Sequence, residues 1–105
     1  MDTASFINFL TSQSTYKGQI AHLEHIAARK ARYGTLDQPL APALEECLKQ
    51  RGFLPLYTHQ AESVNRAAAD HNVIVVTPSA SGKTLCYNIP AMQELSLNPG
   101  SRALY

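Results

Sequence analysis

Apolar residues recur at helical spacing in four stretches of the chain, and the gaps between these stretches are rich in proline and glycine. Pro42 suits the first turn of the second helix, where its missing N–H is not needed, and Gly52 is a natural stop. Pro90 is expected to kink or break the last helix. The predicted helices cover residues 3–12, 42–52, 59–70 and 82–95.

A continuous β-branched run, "VIVVT" at residues 73–77, predicts a strand that is buried on both faces, as in a parallel sheet. The segment "RALY" at residues 102–105 predicts the opening of a second strand. Strand, helix and strand in this order form a βαβ unit, which indicates an α/β fold. Because a two-stranded sheet is marginal in water, we expect the chain to be the N-terminal part of a larger protein.

The residues before this unit lack a comparably clear pattern. Residues 13–39 predict an irregular or extended segment, with a helical turn in the Ala/Arg/Lys stretch after Ile26. We therefore divide the chain into a mostly helical or irregular lead-in, residues 1–52, and the start of an α/β domain, residues 53–105.

Composition limits the function classes only weakly. The formal net charge of +1 gives no basic signal for nucleic acid, although a local groove can be basic in a neutral chain. No apolar run is long enough to span a bilayer, and the N-terminus does not have the pattern of a secretory signal. Cys47 and Cys86 are predicted to be reduced and buried, which is typical of a cytoplasmic protein.

The loop after the predicted strand carries the candidate chemistry. Residues 77–84 have the pattern T-x-x-x-x-G-K-T, which differs from a phosphate-binding loop by a threonine in place of the first glycine. In such a loop Gly82 permits close backbone approach, Lys83 reaches phosphate oxygens, and Thr84 offers its hydroxyl to Mg²⁺. The alternatives are a plain strand–helix loop with a solvated lysine, or a decayed phosphate loop.

The string "TPSASGKTLCYNIP" resembles motif I of superfamily 2 helicases, most closely the YprA/Hrq-like branch of DEAD/DEAH-box-type DNA helicases. The upstream string "LYTHQAESV" resembles the Q motif of that branch, in which the glutamine reads the adenine edge. The resemblance implies an incomplete RecA-like P-loop domain, the start of a parallel sheet with flanking helices. It also implies an ATP site made of Gln60, Thr77, Pro78, Ser79, Ala80, Ser81, Gly82, Lys83 and Thr84.

The resemblance implies part of an ATP-dependent DNA helicase that uses ATP and Mg²⁺ and acts on single-stranded DNA or duplex junctions. It places no catalytic residue in this chain, so the chain alone is expected not to hydrolyse ATP or unwind DNA. Another P-loop NTPase and a non-catalytic nucleotide-binding or interaction module stay open as alternatives. The sequence predicts no membrane partner and leaves the oligomeric state open.

A small basic cluster, Arg29, Lys30 and Arg32, has two interpretations. It could contact DNA phosphates, or it could be the solvated face of a helix. Tyr57 could pack near an adenine ring or in the core, and His59 could shape the adenine pocket or lie on the surface.

Overall fold

The structure, a computed structural model, describes residues 2–104. Within that range four helices follow one another, and all four were predicted from the sequence with bounds that differ by a few residues. The third helix begins at Thr58. The Thr58 hydroxyl donates to the Arg32 carbonyl 3.0 Å away, so it does not cap the helix. The helices are α1 (Thr3–Ser12), α2 (Pro42–Gln50), α3 (Thr58–Ala68) and α4 (Thr84–Leu97).

A single cluster of buried apolar side chains holds α2, α3 and α4 together. It takes residues from both sides of the predicted domain boundary at residue 53, and α4 packs against both α2 and α3. The predicted division into lead-in and domain is therefore a division of the sequence, and as a domain boundary it stays a prediction. The buried members are Leu40, Leu44, Leu48, Leu56, Ala61, Val64 and Ile89.

Residues 2–32 contribute no side chain to this core. No residue of α1 is buried, and residues 19–32 form neither a helix nor a turn, so the helical turn predicted after Ile26 is wrong. A turn that packs against nothing gains too little to offset its nucleation cost. The radius of gyration is accordingly 20.7 Å, against about 13 Å for a compact chain of this length. We call residues 13–34 the arm.

The predicted sheet is not confirmed, because residues 2–104 contain no regular strand. Residues 73–77 have no regular structure, and Ile74 and Val76 are 91% and 89% exposed, so burial on both faces is wrong. A strand needs a hydrogen-bonding neighbour on at least one side. The described residues provide none for this segment or for residues 102–104, and Tyr105 lies outside them.

Pro90 lies inside α4 without breaking it. A proline has no N–H, so the Cys86 carbonyl one turn earlier loses its helical donor. The hydroxyl of Ser63 on α3 donates to that carbonyl at 3.2 Å, and both residues are only 5% exposed. The predicted break is therefore avoided by a hydrogen bond from the neighbouring helix, which also fixes the contact between α3 and α4.

Two other expectations concern the burial of the cysteines and the absence of a membrane-spanning segment. Cys86 is buried as predicted, but Cys47 is exposed on the outer face of α2, and both are free thiols. No helix among the described residues is both long and apolar enough to cross a membrane. A cytoplasmic location stays a prediction.

The Ser63 bond predicts a coupling between two substitutions. Ser63→Ala should lower the free energy of unfolding by about 1–3 kcal/mol, because it leaves a buried carbonyl without a donor. Pro90→Ala returns a backbone N–H to the same carbonyl, so Ser63→Ala should cost clearly less in the Pro90→Ala background. Urea unfolding of the four variants measures both costs. Equal costs in the two backgrounds would show that Ser63 does not act through the carbonyl that Pro90 leaves without a donor.

Candidate nucleotide-binding site

The loop from Thr77 to Lys83 closes around the lysine side chain. Lys83 Nζ donates to the carbonyl oxygens of Thr77 at 2.9 Å and Pro78 at 2.8 Å. The hydroxyls of Thr77 and Ser81 lie 3.2 and 3.4 Å from the same nitrogen, and they also bond each other. All four partners are neutral, so the positive charge of Lys83 is not compensated by them and remains available to an anion.

The loop backbone is shaped for close approach from one side. Ala80 and Gly82 have φ of 58° and 76°, so two residues of the loop are left-handed. Alternation of this kind turns successive N–H groups toward one concavity, which is a recurrent anion-binding arrangement. No side chain caps the start of α4; the Leu85 and Cys86 N–H groups donate to the Gly82 and Lys83 carbonyls at 3.2 and 2.9 Å, and the positive end of the helix dipole lies at this end of the loop. The geometry suits a phosphate group.

Gln60 ties the start of α3 to this loop. Its Oε1 accepts the Tyr57 N–H at 2.9 Å, as in one half of a capping box, and its Nε2 donates to the Gly82 carbonyl at 2.9 Å. The side chain is 3% exposed, so both bonds are shielded from water. An amide group can make four hydrogen bonds. One N–H and one lone pair are therefore left for a further partner.

His59, which was not among the predicted site residues, makes a second contact between the start of α3 and the loop. Its Nε2 lies 2.8 Å from the Ser81 carbonyl, and because a carbonyl only accepts, this nitrogen carries the proton. The His59 ring also continues a row of stacked rings with Tyr57 and Tyr33, at centroid separations of 6.1 and 5.6 Å. The position next to Gln60 was the only sequence signal for this role.

The end of the arm docks beside the same helix start. Tyr33 and Tyr57 form an isolated antiparallel bridge, in which Gly34 N–H donates to the Leu56 carbonyl at 3.1 Å. A Cβ at Gly34 would lie 2.8 Å from the Ala61 Cβ, so only glycine permits this approach. The lead-in thereby contributes directly to the surroundings of the loop.

Seven of the nine predicted site residues line two neighbouring cavities, and Thr77 and Lys83 line neither of the two. The first, of about 490 Å³, is lined by Gln60, Gly82 and Thr84 and by the aromatic rings of Tyr33, Phe53 and Tyr57. We call it the glutamine cavity. Pro78 and Ser79 line only the second, of about 760 Å³, and Ala80 and Ser81 line both. The roles of these residues in binding ATP stay predictions.

No group of three or more His, Cys, Asp or Glu side chains that could hold a metal ion occurs in the described part of the chain. A hard cation such as Mg²⁺ often binds through one or two protein ligands and the phosphates of its substrate. The exposed Thr84, first residue of α4, is compatible with such a minor ligand.

Comparison with known proteins connects this site to a family. The model of the DEAD/DEAH box helicase family matches residues 57–105. The chain is 34% identical over 86 residues to the uncharacterized ATP-dependent helicase YprA of Bacillus subtilis, covering 82% of this chain and 12% of that protein. It is 37% identical over 102 residues to the ATP-dependent helicase hrq1 of Schizosaccharomyces pombe, covering 94% and 10%.

A solved structure has the same fold. The crystal structure of the DUF1998 helicase MrfA bound to DNA and AMPPNP matches with a TM-score of 0.76 at 30% identity, over 100% of this chain and 14% of that one. The chain thus spans only about a tenth of the length of the curated relatives named above, 12% and 10%.

The contact between Gly82 and Gln60 can be tested against a matched glycine. Gly52 also has a positive φ, of 69°, but an added Cβ there meets no described atom within 4 Å. Gly52→Ala should cost about 1–2 kcal/mol of stability from backbone strain alone. An added Cβ at Gly82 would lie 2.6 Å from Gln60 Nε2. Gly82→Ala should therefore cost about 1 kcal/mol more, the net worth of a displaced hydrogen bond.

Denaturant unfolding of both alanine variants, alone and combined with Gln60→Ala, separates the two contributions. The excess cost of Gly82→Ala over Gly52→Ala should disappear in the Gln60→Ala background. If the excess persists there, the Gln60 contact is not its origin.

Proposed function

The chain belongs to the DEAD/DEAH box helicase family, and from this premise we propose that it provides the ATP-binding loop and adenine-reading glutamine of an ATP-dependent DNA helicase. The family is the one expected from the sequence. Since the chain spans only a tenth of the curated relatives, 12% and 10%, the activity of a whole helicase and its DNA partner are part of the proposal.

The loop residues would bind the triphosphate. Lys83 would pair with phosphate oxygens, for which its uncompensated charge and its position inside the loop are suited. The backbone N–H groups between Ser79 and Lys83 would donate to the same phosphates. Thr84 would contribute its hydroxyl to Mg²⁺, whose other ligands would include the phosphates themselves.

Gln60 would read the adenine, and its contact with Gly82 is the observation that carries the proposal. The bonds to Tyr57 and Gly82 fix the amide orientation, which leaves one donor and one acceptor with defined positions. Gln60 lines the glutamine cavity together with the rings of Tyr33, Phe53 and Tyr57, which offer apolar faces to a base. A base and a phosphate chain can therefore be recognised by one rigid unit.

Membership of the helicase family supports this proposal over another kind of P-loop NTPase.

The sequence has no Asp-Glu pair of the kind that orients Mg²⁺ and the attacking water. Phosphoryl transfer depends on such positioning groups acting together. We therefore expect the chain to bind ATP without hydrolysing it, as the non-catalytic alternative also requires, and a steady-state phosphate-release assay checks this expectation.

Fluorescent mant-ATP titration tests the assigned roles. Lys83→Ala should weaken binding by roughly tenfold or more, because it removes charge-assisted bonds to phosphate. Gln60→Ala should weaken mant-ATP binding about three- to tenfold and leave mant-GTP binding nearly unchanged, because only the base contact is lost.

Lys49→Ala is the matched control for charge, since Lys49 lies on α2 and pairs only with Glu45 among the described residues. It should bind mant-ATP like the wild type. The proposal fails if the wild type does not bind mant-ATP, or if Gln60→Ala weakens both nucleotides equally.

A further inference from the structure

A second cavity adjoins the phosphate loop and is lined by the end of the arm. It has a volume of about 760 Å³ and includes Arg29, Lys30 and Arg32 in its wall, together with the outer part of the loop from Pro78 to Ser81. We call it the arm cavity. Gln60, Gly82 and Thr84 line the glutamine cavity and not this one. Tyr57, Ala80 and Ser81 line both cavities, so the arm cavity adjoins the place where a base would be read by the glutamine.

The charge of the arm cavity is strongly positive. The one acidic residue in its wall is Glu62, which already accepts two hydrogen bonds from Arg66 at 2.9 and 3.0 Å. Across residues 2–104 the ion pairs are Lys49–Glu45 and Arg66–Glu62, so none involves the three cations of the arm. Three uncompensated cations within four residues of the chain are suited to a polyanion.

Aromatic rings share the wall with these cations. Tyr57 and His59 line the arm cavity, and they belong to the row of stacked rings that ends at Tyr33. The bond from His59 to the Ser81 carbonyl holds one ring in place, while Tyr57 stays 42% exposed. Fixed, accessible rings beside a line of cations are the combination that binds single strands, because bases stack on the rings and phosphates pair with the cations.

The arm is held at a defined distance from the rings. The Arg32 carbonyl accepts the Thr58 N–H at 2.9 Å and the Thr58 hydroxyl at 3.0 Å, so the last cation of the arm is fixed beside the start of α3. The residues before it are not helical, so the three cations do not share one turn of a helix. The interpretation of the basic cluster as a solvated helix face is thus wrong.

We propose that the arm cavity binds a segment of single-stranded nucleic acid, with phosphates on Arg29, Lys30 and Arg32 and a base against Tyr57 and His59. The proposal rests on the proposed helicase function and adds a location for the strand. Pro78–Ser81 belong to the phosphate loop and also line the arm cavity. The strand would therefore lie directly against the nucleotide-binding loop.

Fluorescence anisotropy with a labelled oligo-dT strand tests the proposal on the chain itself. The variant Arg29→Ala/Lys30→Ala/Arg32→Ala should bind the strand at least tenfold more weakly. The slope of log K against log salt should become less steep by about 2, since each lost phosphate contact on a single strand contributes about 0.7. Its mant-ATP affinity should stay within about twofold of the wild type.

The matched control is Lys17→Ala/Arg51→Ala/Arg102→Ala, which removes the same charge from exposed positions outside the arm cavity. It should change strand affinity by less than about threefold. Circular dichroism of both triple variants should match the wild type, since all six side chains are exposed. An oligonucleotide of equal length with abasic sugars should bind the wild type roughly tenfold more weakly, because it has no base to stack.

Several outcomes would overturn the proposal. Equal losses in the two triple variants would indicate a general charge effect, and an unchanged affinity for abasic strands would remove the role of the rings. Loss of mant-ATP binding in the arm variant would assign the cations to the nucleotide instead. A wild type that binds mant-ATP but not the strand would overturn this proposal and leave nucleotide binding intact. A wild type that binds the strand but not mant-ATP would overturn nucleotide binding and leave this proposal intact.

Discussion

The contact between α3 and α4 is the constraint on which the rest of the structure depends. Along it, the Ser63 hydroxyl donates to the carbonyl freed by Pro90, and Gln60 Nε2 donates to the Gly82 carbonyl, which also accepts the Leu85 N–H at 3.2 Å. The Ser63 bond is buried, so losing its hydroxyl would leave the Cys86 carbonyl buried without a donor. The apolar cluster supplies the attraction between the helices, and these bonds fix the register in which they meet.

The position of the nucleotide-binding loop depends on this register. Because Gln60 and His59 begin α3, their bonds to the Gly82 and Ser81 carbonyls place the loop directly beside the start of that helix. The arm then reaches the same point, since Gly34 lets its backbone approach Ala61. Three segments that are distant in sequence therefore converge within hydrogen-bonding distance, and base, phosphate and strand contacts become possible in one region.

The sequence predicted those features that depend on local pattern. Periodicity located all four helices, and the Gly82-Lys83-Thr84 string located the loop. It could not predict features that depend on a distant partner. Residues 73–77 have the composition of a strand but no described neighbour with which to pair. The carbonyl that Pro90 leaves without a donor accepts the Ser63 hydroxyl from another helix, and the arm docks through contacts of Gly34 that no periodicity reveals.

The most direct test of the central claim is a crystal structure of the chain with Mg²⁺ and a nonhydrolysable ATP analogue. The account predicts that Gln60 Nε2 still donates to the Gly82 carbonyl, that the adenine occupies the glutamine cavity, and that Lys83 has exchanged the Thr77 and Pro78 carbonyls for phosphate oxygens. An analogue bound elsewhere, or a loop that has separated from Gln60 to admit the nucleotide, would contradict it.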